Sequence, residues 1–136
     1  MGGVTIPYEK GLLGHSDADV LIHAVCDALL GASGLGDIGL HFPDTDNRFK
    51  DMQGIKLLSR TYKLVEDKGF HVINIDSTIF AEKPKLSSYK KKMENNMARV
   101  LGIDPDVVNV KATTMEGLGS IGHGDGIGAM AVVLIN

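Results

Sequence analysis

A chain of 136 residues fits one domain, 1–136, and is long enough to bury a core. Its 43% hydrophobic content excludes a disordered polymer, and no apolar run approaches the ~18 residues of a membrane span. With 14 basic against 17 acidic residues the net charge is −3, which excludes the global positive field that draws in nucleic acid, so an anionic ligand has to be met locally.

In chain order, Val4-Thr5-Ile6 ahead of Pro7 reads as the tail of a strand, as if an element were missing in front of it. Met1-Gly2-Gly3-Val4 lacks the charged and apolar regions of a signal or transit peptide. The single cysteine, Cys26, cannot form an intrachain disulfide and sits among apolar neighbours that do not lower a thiol pKa. A catalytic thiol is therefore discounted, and a reducing cytoplasm is the default compartment, or a plastid if the source is a plant or alga.

The first helix is expected from about Asp17 to Gly31 or Ala32. Its opening turns hold His15-Ser16-Asp17-Ala18-Asp19 and His23, two imidazoles, a hydroxyl and acids in a short span. Ser16 with Asp19 resembles a capping box, which would leave backbone N–H groups beside His15 where a phosphate could dock. Asp19, His23 and Asp27 recur at i, i+4, i+8 and share a stripe, with a carboxylate one turn beyond an imidazole placed to orient it for a metal. Taken singly, His23 is more often a satisfied core histidine and Ser16 merely a cap; the concentration of such groups is what favours a site.

Gly34 to Asp46 has no period and reads as a loop of a length that tends to bind ligands, so Asp37, Phe42, Asp44 and Asp46 become candidates against a reading as solvated acidic turns. Met52, Ile55, Leu58, Tyr62 and Val65 mark a second helix stopped by Gly69. His71 to Ala81 alternates as a strand, with Ile73, Ile75 and Ile79 on one face and Val72, Asn74, Asp76 and Thr78 on a half-polar other that suits solvent or a subunit contact. Lys83-Pro84-Lys85-Leu86 breaks the pattern, and Tyr89, Met93, Met97, Val100 and Leu101 form a third helical stripe ending before Gly102, with Lys90-Lys91-Lys92 on its solvated face.

Val107 to Ala112 and Gly126 to Ile135 read as two more strands, joined by a connection from Thr113 to Asp125 whose glycines and hydroxyls suit a loop wrapping phosphate oxygens. It is neither a Walker motif nor GxGxxG, so no standard nucleotide fold is implied. Helices interleaved with strands predict an α+β fold, a single mixed sheet with helices packed on one face.

At this point the chain resembles the 2-C-methyl-D-erythritol 2,4-cyclodiphosphate synthase family over essentially its whole length. The resemblance rests on Gly11 to Asp19 with His23, on Leu35-Gly36-Asp37-Ile38-Gly39 followed by Phe42-Pro43-Asp44-Thr45-Asp46, and on Asn109 to Thr114 with Glu116. It implies a homotrimer with three sheets packed around the axis and active sites between subunits. It also implies release of CMP from a cytidine diphosphate derivative of methylerythritol phosphate as a cyclic diphosphate closes.

The same resemblance implies roles residue by residue. His15 and Ser16 contact substrate phosphates, with His15 and Thr114 the donors at the transition state, and His23 binds zinc or another divalent metal. Asp37, Ile38, Gly39, Phe42, Pro43, Asp44, Thr45 and Asp46 hold the methylerythritol portion. Ala81, Pro84, Lys85 and Leu86 form the cytidine pocket, while Thr113, Thr114 and Glu116 grip the nucleotide phosphates and a second metal, Mg²⁺ or Mn²⁺. Ser120 and His123 stand near the implied axis where better-known members carry an aromatic and an arginine, and His123 joins the substrate-binding candidates.

Family members also carry an opening strand with an Asp-x-His pair that supplies zinc ligands, and no such residues precede Gly2-Gly3. Read as it stands, the sequence predicts weakly held zinc and little turnover. The alternative function is then a catalytically inactive trimer that binds cytidine nucleotides. A two-metal phosphohydrolase is disfavoured, because too few acids cluster.

Overall fold

The computed structural model describes residues 1–8 and 19–136. Helix α1 (Val20–Ala32) is followed by the single turn α2 (Ile38–His41), a 3₁₀ turn (Asn47–Phe49) and α3 (Gly54–Asp67). Strand β1 (Val72–Phe80), α4 (Lys90–Leu101), β2 (Val108–Thr113), the single turn α5 (Gly119–Gly122) and β3 (Gly128–Ile135) complete the chain.

The strands form one mixed sheet in the order β2-β1-β3, with β1 parallel to β2 and antiparallel to β3. A parallel pair needs a long crossover, and α4 supplies it between β1 and β2. Helix α1 lies against β3 and β1, α4 lies against β2, and α3 packs on both helices. The expected α+β sheet with helices on one face is therefore what forms.

The core follows from those contacts. Leu21, Ile22, Val25 and Leu29 of α1, Leu58 and Val65 of α3, Met93 and Met97 of α4, and Ile75 and Ile79 of β1 are all buried. Each such side chain contributes about 1.5–3 kcal/mol relative to its exposed state. At the sheet edge the amide of Val110 donates to Glu94 Oε1 of α4 at 3.0 Å, so that β2 does not present this N–H to solvent.

Four local expectations need correction. Helix α1 begins at Val20, because Asp19 is its N-cap rather than the inner member of a capping box. The buried Asp19 carboxylate accepts N–H groups from Ile22 at 3.1 Å, Gly2 at 2.8 Å and Gly3 at 3.0 Å, which together offset its desolvation. Residues 4–6 are not a strand: Val4 sits in the core and its amide donates to Met1 O at 2.9 Å instead of to a ladder.

The aperiodic Gly34–Asp46 stretch contains α2, a turn too short to show a period, which Asp37 caps through a 2.9 Å bond from the amide of Leu40. In β1 a register irregularity between Val72 and Asn74 breaks strict alternation. Val72 is buried and Ile73 is 43% exposed, the reverse of their expected faces, while Ile75 and Ile79 point inward as expected.

The sheet's other face is uncovered in the protomer. Met130, Val132 and Leu134 of β3 stand exposed beside Thr78, Asp76 and Asn74 of β1. Across the β1–β2 pair Asp76 accepts from Asn109 Nδ2 at 2.9 Å and from Lys111 Nζ at 2.7 Å, and that contact with Lys111 above all holds its carboxyl below the usual range. No helix among the described residues is long and apolar enough to cross a membrane.

Candidate active site

His23 projects half-buried from the first turn of α1 into a cavity of about 320 Å³. Ile38, Gly39, Phe42, Pro43 and Asp44, all from one predicted substrate segment, line the same cavity. That segment curls over α1 because its turns are capped and packed: Asp27 Oδ1 of α1 accepts the amide of Ile38 at 2.9 Å, and His41 Nε2 donates to Leu35 O at 2.7 Å. Asp27, which the sequence offered as an orienter of the imidazole, thus anchors the loop.

The remaining wall comes from residues that sequence reasoning passed over as sites. Phe49, Met52 and Leu57 line the cavity, and Phe49 meets Phe42 edge-on with ring centroids 5.3 Å apart. Their only sequence signal was an apolar character that scaffold explained equally well.

Asp37, Thr45 and Asp46 belong to the segment but do not line the cavity. Asp37 caps α2, and Asp46 caps the 3₁₀ turn through the amide of Arg48 at 2.9 Å. The Arg48 guanidinium also grips Asp46, with Nε 3.0 Å and Nη2 2.7 Å from Oδ2. That grip lowers the Asp46 carboxyl below its ordinary range.

The second group of candidates gathers where β1 and β2 end. The amide of Ala81 donates to Thr113 O at 3.0 Å, which sets the 81–86 segment beside the 113–117 loop. Ala81 and Leu86 are buried, Pro84 follows a cis peptide bond and is half-buried, and Lys85, Thr113, Thr114 and Glu116 are exposed. The amide of Glu116 donates to Thr114 Oγ1 at 3.4 Å, and a hydroxyl that accepts in this way retains its own proton for donation.

The amides of Met115 and Gly117 turn to Glu82 and that of Glu116 to Thr114, so these three loop N–H groups face the chain, while the loop's hydroxyls stand exposed. His123 is exposed just after α5. Among the described residues, none of 81–86 or 113–117 lines the His23 cavity, so the candidates there fall into two groups. His15 and Ser16 lie outside the described residues.

A catalytic zinc site normally takes three protein ligands and an open position. Among the described residues His23 is the imidazole in the cavity, and no group of three or more His, Cys, Asp or Glu side chains stands together. His23 fits as one ligand of a divalent cation, but the described residues do not complete a zinc site. Cys26 is buried in the core, and burial pushes its thiol up to about 12, against a smaller downward pull from the Thr61 hydroxyl, so it offers no nucleophile.

A sequence model of the YgbB family matches residues 1–136. The chain is 61% identical, over 99% of its length and 80% of the relative's, to the 2-C-methyl-D-erythritol 2,4-cyclodiphosphate synthase of Desulfosudis oleivorans. It is 59% identical, over 99% of its length and 85% of the relative's, to the enzyme of that name from Geobacillus kaustophilus.

Among solved structures it resembles the bifunctional IspDF of Campylobacter jejuni, with a TM-score of 0.94 and 46% identity over 98% of this chain and 36% of that one. It also resembles a 2C-methyl-D-erythritol-2,4-cyclodiphosphate synthase in a CDP-bound form, with a TM-score of 0.90 and 36% identity over 99% of this chain and 87% of that one. The chain belongs to the YgbB family, that of the 2-C-methyl-D-erythritol 2,4-cyclodiphosphate synthases, phosphorus–oxygen lyases of isoprenoid biosynthesis.

Proposed function

We propose that this chain converts 4-diphosphocytidyl-2-C-methyl-D-erythritol 2-phosphate to 2-C-methyl-D-erythritol 2,4-cyclodiphosphate and CMP. The observation that carries this reading is the cavity in which His23 meets Ile38, Gly39, Phe42, Pro43 and Asp44, in a chain 61% identical to a named synthase. An oxygen of the 2-phosphate attacks the β-phosphorus, a P–O bond forms there, and the bond from that phosphorus to the CMP oxygen breaks. The electron pair leaves on the CMP phosphate, so no oxidant or co-reactant enters.

A phosphate monoester with a second pKa of ~6 is mostly dianionic near neutral pH and is already a competent nucleophile. The protein's task is then to hold the two phosphoryl groups in line and to stabilise charge on the bridging and equatorial oxygens. In this reading the apolar wall of Phe42, Pro43 and Phe49 seats the methylerythritol carbon skeleton, and Asp44 takes a hydroxyl hydrogen bond. Ala81, Pro84, Lys85 and Leu86 receive the cytidine, while Thr113 and Thr114 donate to phosphate oxygens with Glu116 beside them. His15 and Ser16 take the phosphate contacts near α1. A divalent cation held in part by His23, with Mg²⁺ or Mn²⁺ on the diphosphate, supplies charge neutralisation when bound.

Two groups of candidates, of which only the first lines the His23 cavity among the described residues, support an active site completed by a neighbouring copy. The exposed Met130, Val132 and Leu134 beside the Asp76–Lys111 pair offer an apolar and polar face for that contact, as in a homotrimer with three sheets around its axis. The buried single thiol suits a reducing cytoplasm.

The test is CMP release from the cytidine substrate, followed alongside calorimetric titration with CDP. Stoichiometric CMP and cyclic diphosphate support the reading. CDP binding with no CMP release would make the chain the inactive cytidine-binding protein instead, and release of inorganic phosphate from simple nucleotides would make it a phosphohydrolase.

A further inference from the structure

The 81–86 segment and the 113–117 loop are joined beyond the end of the sheet by the side chain of Glu82. The β1–β2 ladder closes with Phe80 opposite Thr113, and the amide of Ala81 adds a last bond to Thr113 O at 3.0 Å. Past that point β2 runs into a loop whose amides have no strand beside them. Glu82, half-buried, takes the place a strand would have filled. Its Oε1 accepts the amide of Met115 at 2.7 Å and that of Gly117 at 3.4 Å, from positions 33 and 35 residues further along the chain.

The two donors flank Glu116, whose φ of +54° is uncommon for a residue with a side chain, and Gly117 follows at +76°. Amides that converge in such a turn form a concavity for an anion, and here the anion is the chain's own carboxylate. The convergence fixes where Thr114 stands, because the amide of Glu116 between the two donors reaches Thr114 Oγ1 at 3.4 Å. One carboxylate oxygen thus ties down the backbone on both sides of Glu116, and the Thr114 hydroxyl, which accepts from Glu116, keeps its own proton for donation. Ala81 on one side of Glu82 and Pro84 beyond it belong to the segment assigned above to cytidine.

We propose that Glu82 is a positioning residue: by holding the 115–117 backbone against the exit of β1 it locks the cytidine segment and the Thr114 hydroxyl into one rigid unit that grips both ends of the nucleotide diphosphate. The proposal rests on the functional reading above. Glu82 touches neither substrate nor reacting atoms. Its contribution is an acceptor oxygen at a fixed place, so its negative charge matters less than its geometry. Glutamine offers the same carbonyl oxygen on a side chain of the same length, whereas alanine offers none.

The experiment compares wild type, Glu82→Gln and Glu82→Ala in the full chain, reading CMP release, CDP affinity and amide hydrogen exchange at Met115 and Gly117. Expected for Glu82→Ala is a loss of CDP affinity and a rise in KM of about tenfold or more, a smaller fall in kcat, and loss of protection at both amides. Glu82→Gln should restore KM to within about threefold of wild type and restore protection. An unchanged KM in Glu82→Ala overturns the proposal, as does a Gln variant that falls as far as the Ala variant.

A purely structural role would lower thermal stability and leave KM where it was, and that result also overturns it. Failure of the underlying reading looks different: wild type itself neither binds CDP nor releases CMP, while the exchange pattern at 115 and 117 still distinguishes Ala from Gln. That outcome removes the substrate role of Glu82 together with the function.

Discussion

The amide of Ile38 donates to Asp27 Oδ1 at 2.9 Å, and this bond fastens the turn that lines the cavity to the helix that carries His23. Helix and loop are 11 residues apart at this contact, so this side of the cavity is assembled locally, while Phe49, Met52 and Leu57, the last from α3, close it from further along the chain.

Removing that bond should loosen the loop without unfolding the domain. Asp27 is exposed, so Asp27→Ala is expected to cost about 0.5–1.5 kcal/mol in stability, while KM for the cytidine substrate rises several-fold. Asp27→Asn keeps an acceptor oxygen and should recover most of the KM. Thermal melts and steady-state kinetics on both variants check this, and equal KM in all three proteins would show that the loop holds itself in place.

His23 is the imidazole that the described residues place in the cavity, and His23→Ala is expected to weaken divalent cation binding about tenfold or more. Competition with a fluorescent chelator measures it, with circular dichroism to establish that the helix persists. Undiminished affinity would place the cation elsewhere.

The uncovered sheet face should govern assembly. Val132 is 67% exposed in the protomer and sits opposite Asp76, so Val132→Asp sets two carboxylates together on the face assigned to subunit contact. For the homotrimer proposed above, sedimentation velocity should show a shift from trimer to monomer with loss of CMP release. A variant that sediments as wild type would remove this face from the assembly.

Arg48 holds the Asp46 carboxyl below its ordinary range, first through the side-chain hydrogen bonds and then through its backbone amide. A depressed carboxyl contributes stability above its unfolded pKa of ~3.9, and that contribution is lost as pH falls through the folded value below it. The pair is exposed, so solvent keeps the effect small. In Arg48→Ala the Asp46 side-chain carbon signal should titrate at higher pH by NMR, and an unmoved titration would contradict the cause assigned here.

Cys26 has the opposite sign of consequence. Its thiol is raised to about 12, so between the ordinary value of 9.0 and that figure the unfolded chain releases a proton that the folded chain keeps. Stability should fall as pH rises above 9.0 for this reason. Thiol reagents at pH 8 should label the native protein only as fast as it opens, and rapid labelling without denaturant would refute this.

Features that depend on near neighbours along the chain can be read from the residues alone. Helix α3 was legible in the spacing of Ile55, Leu58, Tyr62 and Val65, and the end of α4 at Gly102, where φ is +67°, was legible because only a residue without a side chain enters that conformation at little cost. The family motifs named Ile38, Gly39, Phe42, Pro43 and Asp44 as one segment, and that segment does line one cavity with His23.

Tertiary structure decided what depends on partners far along the chain. That Ile73 faces outward came from an irregularity in the pairing of β1 with β3, and that Asp19 is a buried N-cap came from Gly2 and Gly3 folding back onto it. Glu82 showed no sign of a role in sequence, because its two donors lie 33 and 35 residues away and an acid after a strand looks like any solvated turn. Periodicity records which side of an element meets the core, but a carboxylate's hydrogen bonds are chosen only when distant backbone arrives with unpaired amides.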